Sequence, residues 1–203
     1  MPLINLWMGK RTAGIFDRSD YYSGTAETIL AMTDLYKDGA VIPLGEGEIH
    51  LCRIKVRDKE HIRVYKKQND NGESVLCMVS GIENNPNAYR RAAVGWLREY
   101  ARVELEKRVR IFKEQMQVSV NRISIKEQKT RWGSCSLKGN LNFNWKLVLM
   151  PERIMDYVVV HELAHRKQMN HSPAFWREVE LILPDYKERR QWLREHESEF
   201  VKY

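Results

Sequence analysis

The sequence has little cysteine and no long apolar run, and each shortage excludes a class of protein. Three cysteines in 203 residues, at wide spacing and in odd number, do not form the framework of a disulfide-stapled secreted domain. No apolar stretch approaches the roughly 20 residues needed to cross a bilayer, so no membrane partner is expected. The first positive charges follow a short apolar patch, which is the wrong order for a secretory signal. These features predict a soluble, cytoplasmic protein.

Glycine and proline are also modest, at 11 and 6 residues, and 43% of the chain is hydrophobic. This composition indicates an ordinary globular protein rather than a disordered or fibrous one.

Thirty-four Lys and Arg against 27 Asp and Glu give a formal charge of +7. A positive balance favours an anionic partner such as a nucleotide or nucleic acid. The basic clusters at Lys107–Arg110 and Lys187–Arg190 are equally typical of solvated helix faces.

Periodicity divides the chain into three parts. Residues 1–40 form an extension of unclear structure, in which residues 26–37 could form a short helix. Residues 41–84 show period-two alternation and predict a β-rich subdomain. Residues 85–203 form the core, in which a long helix comes first and shorter helices follow towards the C-terminus.

The element pattern predicts the fold class. Alternating apolar residues predict five strands, near residues 49–56, 62–64, 75–79, 122–126 and 141–149. Asn69–Gly72 is suited to a hairpin turn because Asn-Gly tolerates positive φ. Helices are predicted over residues 87–116, from Pro151 to His165, from Ser172 to about Leu183, and after Pro184. Strands and helices without βαβ alternation indicate an α+β fold with a small antiparallel or mixed sheet.

The stretch from His161 to His165 matches H-E-x-x-H. Residues i and i+4 lie about 40° apart around a helix, so His161 and His165 can reach one metal ion. Glu162 lies beside that face, near enough to contact a water activated by the metal. Random placement of 6 His and 19 Glu in 203 positions predicts only about 0.016 such matches. The alternative is a structural helix whose histidines bind no metal.

A catalytic zinc site normally has three protein ligands, and His171 is the leading third ligand. Asn170 could adopt the left-handed conformation that turns the chain back towards the helix. The three histidines have the metzincin spacing, but Gln168 stands where that pattern has glycine and no Met-turn follows. Glu178 and Glu180 are rival third ligands. In that case His171 would be an exposed residue of a capping loop.

The segment around Arg131 and Cys135 allows several interpretations. Arg131 could bind an anionic substrate or stabilise an oxyanion. It could instead pair with a core acid, with Trp132-Gly133 as a packing corner. Cys135 is best explained as a small buried hydrophobe, although a fourth metal ligand or a nucleophile is an alternative.

Four segments resemble the YgjP-like metal-dependent hydrolases, most clearly over residues 85–195. They are Lys129-Thr-Arg-Trp-Gly-Ser-Cys-Ser136, Leu141-Asn-Phe-Asn-Trp-Lys-Leu147, Asp156-Tyr-Val-Val-Val-His-Glu-Leu-Ala-His165 and Asn170-His-Ser-Pro-Ala-Phe-Trp176. The resemblance implies a zincin-like fold with metal ligands His161, His165 and His171 and a catalytic Glu162. It also implies that the segment containing Gly133 is a strand–turn element beside the active-site helix. Residues 1–40 show no basic β-hairpin of the kind that often begins the family.

These observations predict a zinc-dependent hydrolase, metallopeptidase-like, with one Zn²⁺ per chain. Zinc follows from the ligand type, although imidazole also suits Fe, Ni and Cu. Glu162 would act as general base on the metal-activated water. The alternatives are a nucleoside triphosphate (UTP-type) pyrophosphatase, a DNA-associated SprT-like protease or nucleic-acid-binding factor, and an inactive metal-stabilised scaffold. The substrate is thus a peptide or a nucleotide, and the sequence does not predict the oligomeric state.

Overall fold

A computed structural model describes residues 37–57, 61–82, 85–128 and 130–201. They form two small sheets and four α-helices around one continuous apolar core, which confirms the predicted α+β class. The short helix predicted over residues 26–37, like nearly all of the N-terminal extension, lies outside the described residues. None of the helices in the described ranges combines the length and apolar content needed to cross a membrane.

The first sheet is mixed and has the strand order β1-β2-β4-β3. Its strands are β1 (Val41–Leu44), β2 (Gly47–Lys55), β3 (Arg63–Gln68) and β4 (Ser74–Ser80). β2 and β4 run parallel, whereas the other pairs are antiparallel. β1 was not predicted, because four residues containing Pro43 are too few to show alternation; it pairs with β2 across a tight turn at Gly45, whose φ is +65°.

The turn predicted at Asn69–Gly72 joins β3 to β4. The Asn69 side-chain oxygen accepts the backbone N–H groups of Asn71 at 3.0 Å and Glu73 at 2.8 Å. Gly72 has φ of +80°, the left-handed conformation that favours glycine. Local turn chemistry therefore fixes the register of this hairpin, with Gln68 opposite Ser74.

The second sheet has the order β5-β7-β6 and contains β5 (Arg122–Lys126), β6 (Gly133–Cys135) and β7 (Asn140–Asn144). The prediction of one strand over residues 141–149 is wrong beyond Asn144. A 3₁₀ helix, Trp145–Leu149, follows, and the Asn144 side-chain oxygen accepts the Lys146 N–H at 3.2 Å. All five residues of this helix are buried, and periodicity does not distinguish a short buried run from a strand.

The helices are α1 (Pro86–Gln115), α2 (Glu152–Ala164), α3 (Pro173–Ile182) and α4 (Tyr186–Val201). At the start of α1 the Asn85 side chain accepts the Ala88 N–H at 3.0 Å, and Pro86 occupies the first turn, where no N–H is needed. α1 buries a stripe that recurs at helical spacing and includes Tyr89, Ala93, Leu97, Ala101, Leu105 and Val109. Val103, on another face of the same helix, is 52% exposed.

A buried arginine joins α1 to α2. Arg108 lies 2.7 Å from Glu104 on its own helix, 3.2 Å from Glu152 and 3.0 Å from Asp156 on α2. Burial raises the pKa of Asp156, and the positive charge of Arg108 opposes that rise. This cluster holds α2, the helix that carries the H-E-x-x-H motif, against the longest helix of the fold.

Candidate metal centre

The H-E-x-x-H motif lies at the C-terminal end of α2. The apolar residues Val159, Val160 and Leu163 are fully buried and fix the helix in the core. His161 and Glu162 belong to its last turn, and His165 is the residue at which the helix ends. The two imidazoles therefore project from a helix that cannot rotate about its axis without exposing these apolar residues.

After His165 the chain reverses in a tight turn. The N–H groups of Lys167 and Gln168 both donate to the Ala164 carbonyl at 3.0 Å. Among the non-glycine residues of the described ranges, only Gln117 has a positive φ. Asn170 therefore does not adopt the left-handed conformation predicted from the sequence. The turn that brings His171 back thus comes from backbone hydrogen bonds immediately after the helix.

This turn also orients the His165 ring. The Nδ1–H of His165 donates to the Gln168 carbonyl at 3.1 Å, which leaves Nε2 without its proton and able to bind a cation. A carbonyl behind a metal-binding imidazole is the usual partner that fixes tautomer and ring direction. The local fold therefore prepares one of the three rings for coordination.

The structure brings His161, His165 and His171 together. One potential ligand atom from each lies within 4.8 Å of the others, and the Nε2 atoms of His161 and His171 are 3.0 Å apart. Tetrahedral zinc with bonds of about 2.0–2.1 Å places two ligand nitrogens about 3.3 Å apart. The three imidazoles consequently fit a zinc ion with little rearrangement.

The electrostatics of His161 favour the same conclusion. Burial, helped by the neighbouring His165, His171 and Arg190, lowers the pKa of His161 to about 3. The ring is therefore neutral at physiological pH, which is the form that binds metals. Its Nδ1 is buried and has no hydrogen-bond partner in the described part of the chain. A bound cation would compensate for the burial of this polar ring.

Aromatic side chains from α3 surround the imidazoles. Phe175 is fully buried, and its ring centroid lies 4.7–4.9 Å from those of all three histidines. Trp176 lies 5.8 Å from His171 at 30° between the ring planes. These contacts limit the rotation of the imidazoles and exclude water from the α3 side of the cluster.

Glu162 is 5% exposed and lies against strand β6. Burial raises its pKa to about 8, and the charge of Arg131 partly opposes this rise. A Cβ added to Gly133 would lie 2.5 Å from Glu162 Oε1 and 2.7 Å from its Cγ. Gly133 therefore lies against Glu162, as expected from the resemblance, which places this segment beside the helix of the H-E-x-x-H motif. A glycine inside a strand is a signal of such close approach.

Two polar residues hold β6 at this distance. Asn144, 1% exposed, donates its backbone N–H to the Trp132 carbonyl and its side-chain amide to the Gln128 carbonyl, both at 2.8 Å. Arg166, directly after His165, donates to the Leu137 and Ser119 carbonyls at 3.0 Å. Asn144 therefore fixes the segment that leads into β6, and Arg166 ties the loops that flank the second sheet to the end of α2.

The other residues considered from the sequence lie in different settings. Arg131 is exposed and makes no ion pair within 4.0 Å inside the described ranges, so it does not pair with a core acid. Burial, together with the nearby Glu162, raises the pKa of Cys135, and this thiol is not part of the histidine cluster. Glu178 pairs with Lys167 at 2.8 Å, and Glu180 is exposed. Neither glutamate belongs to the histidine cluster.

Comparison with known families agrees with this geometry. The family model described as YgjP-like, metallopeptidase domain, matches residues 27–196. The chain belongs to the YgjP-like family. It is therefore a member of a metallopeptidase-type family, in agreement with the predicted resemblance.

Two solved structures are similar to part of this YgjP-like protein. One is the metallopeptidase zymogen abylysin of Pyrococcus abyssi, which is 28% identical. The match covers 45% of this chain and 93% of the abylysin chain, with a TM-score of 0.41. The other is the metallopeptidase zymogen jannalysin of Methanocaldococcus jannaschii, which is 25% identical. The match covers 45% of this chain and 94% of the jannalysin chain, with a TM-score of 0.41. Comparison with curated protein sequences finds no match.

Proposed function

We propose that this protein is a zinc-dependent peptidase with a zincin-like active site. His161, His165 and His171 would hold the ion, and Glu162 would act as general base. The observation that carries the proposal is the convergence of three imidazoles within 4.8 Å beside a buried glutamate of the same helix. The family membership supports a peptide bond as the target.

Zinc bound to these nitrogens would polarise the scissile carbonyl and make a water molecule more acidic. Glu162 would accept the proton of that water on a carboxylate oxygen and return it to the departing amine. Although burial favours the protonated carboxyl, a cation nearby favours the carboxylate, so loading the site prepares Glu162 to act as a base. Phe175, packed behind the rings, would keep bulk water from reaching the ligands on that side.

A second candidate is hydrolysis of a nucleoside triphosphate. The exposed Arg131 lies near enough to Glu162 to lower its pKa, and a guanidinium there suits a phosphate. The peptidase is preferred because the family is of metallopeptidase type. Incubation with casein and with UTP separates the two functions, by new amines in one case and released pyrophosphate in the other.

The decisive experiment combines metal content with turnover. Mass spectrometry of untagged wild type should find about one zinc per chain, and His171→Ala should lose it or bind it much more weakly. Glu180→Gln, a change in the exposed rival ligand, should keep the zinc. Glu162→Gln should keep the zinc and lose turnover. Zinc retained in His171→Ala, or activity retained in Glu162→Gln, would contradict the proposed site.

A further inference from the structure

An exposed arginine lies beside the histidine cluster on the side formed by α3 and α4. The Arg190 guanidinium carbon is 4.6 Å from the centroid of the Trp176 ring. That ring lies 5.8 Å from His171 and 5.9 Å from His161. The indole that contacts the guanidinium therefore also lies beside two of the proposed metal ligands.

The position of Arg190 is built into the packing of α4. Tyr186, one helical turn earlier, stacks on Trp176 with 5.4 Å between centroids and 14° between planes. Residues at i and i+4 share a helix face, so Tyr186 and Arg190 contact the same indole. The cation–π contact restricts the orientation of the Arg190 side chain, which would otherwise move freely in water.

Two neighbouring cations have acidic partners, whereas Arg190 has none in the described ranges. Arg189 bonds to Asp185 at 2.9 Å, and Lys167 bonds to Glu178 at 2.8 Å. Within the described ranges Arg190 makes no ion pair within 4.0 Å. An exposed guanidinium without an acidic partner, held beside the cluster, can bind an anionic group of a molecule that occupies the site.

We propose that Arg190, held on Trp176, binds a carboxylate of the substrate, so that the enzyme prefers peptides with an acidic residue near the cleaved bond. This inference rests on the proposed peptidase function. The planar guanidinium can form two parallel hydrogen bonds to a carboxylate. Because Trp176 already restricts the orientation of the Arg190 side chain, this side chain loses less conformational freedom on binding. Arg190 is on this view a specificity residue that need not touch the reacting atoms.

The test measures binding separately from turnover. Zinc-loaded Glu162→Gln protein is titrated by calorimetry with blocked alanine pentapeptides that carry one glutamate, placed at each position in turn, and with the same peptides carrying glutamine. For at least one position the glutamate peptide should bind about tenfold or more tightly, as expected for a charge-assisted bond. Adding Arg190→Gln should remove that difference while the affinity for the glutamine peptide stays the same.

Arg194→Gln is the matched control, because it removes the same charge from the exposed surface of α4 one turn later. It should retain the preference for glutamate. Equal affinity for both members of every pair, no measurable binding, or an equal loss in both arginine variants would overturn the inference. UTP that binds more tightly than every glutamate peptide, and loses affinity in Arg190→Gln, would assign the guanidinium to phosphate and also overturn it. Absence of peptide cleavage by wild type, with the glutamate preference intact, would refute the proposed function alone.

Discussion

Gly133→Ala should separate catalysis from metal binding. The new Cβ would lie 2.7 Å from Glu162 Cγ and 2.8 Å from Cδ, whereas carbon atoms in contact lie about 3.5 Å apart or more. The carboxylate must therefore move by roughly 0.8 Å, since β6 is held by buried Asn144. A misplacement of about 1 Å in a catalytic group can cost about 100-fold in rate. We expect kcat/KM to fall by that order.

The assay is steady-state cleavage of a peptide substrate, with zinc content measured on the same preparations. The loss should appear in kcat, and zinc should stay near one per chain because no histidine is displaced. Gly95→Ala is the control: its added Cβ meets no atom within 4 Å, and it lies on the exposed face of α1. That variant should keep full activity and gain about 0.5–1 kcal/mol of stability.

A double-mutant cycle with Glu162→Asp tests whether the two residues act through direct contact. Aspartate is one methylene shorter and withdraws from the new methyl group, so Gly133→Ala should cost much less in that background. An unchanged kcat/KM in Gly133→Ala alone would refute the reasoning. So would a loss of the same size with aspartate at position 162, because steric contact with Glu162 would then not be the cause.

Other predictions concern stability, pH and the loop that carries His171. Arg108→Ala should lower the free energy of unfolding by about 3 kcal/mol in urea titrations, because it leaves Asp156 without its buried cation. Arg102→Ala, which removes an exposed ion pair from the same helix, should cost much less, and equal losses in the two variants would contradict this. In metal-free protein, burial raises the pKa of Glu162 from its ordinary 4.5 to about 8. The folded state therefore keeps this proton more strongly than the unfolded state, so the free energy of unfolding is highest below pH 4.5 and falls as pH rises towards 8. Urea titrations at pH 5 and pH 8 should show this decline relative to Glu162→Gln, and parallel curves would be contrary evidence. Lys167→Ala should weaken zinc binding severalfold, measured by competition with a chelator, because the loop loses its tie to α3; an unchanged affinity would show that the backbone turn alone positions His171.

The helical part of the site could be read from the sequence because its information is local. His161 and His165 are related by the helical repeat, and the apolar residues between them predict burial of the helix. His171 follows within one short loop, so few arrangements of the chain keep it away from them. The hairpin turn at Asn69–Gly72 was similarly readable, since its side-chain and backbone chemistry involves only neighbours.

The rest depends on contacts between distant parts of the chain. A glycine in a strand indicates that some group approaches closely, but the residues around Gly133 do not identify Glu162 as that group. Trp145–Leu149 has an apolar strand-like composition, and its burial as a 3₁₀ helix is decided by the elements around it. Arg190 was part of a basic cluster, and only the packing of α3 on α4 reveals that it differs from Arg189.

The nearness in sequence of the three histidines has a consequence for the order of folding. His161 and His171 are ten positions apart, so closing the chain around an ion costs little conformational entropy. The surroundings of Glu162, in contrast, require docking of the second sheet on α2. An ion could therefore be captured by a partly folded chain before Glu162, the proposed general base, reaches its buried position. Synthesis of this protein in a zinc-rich environment would then fix the metal first and create catalytic competence last.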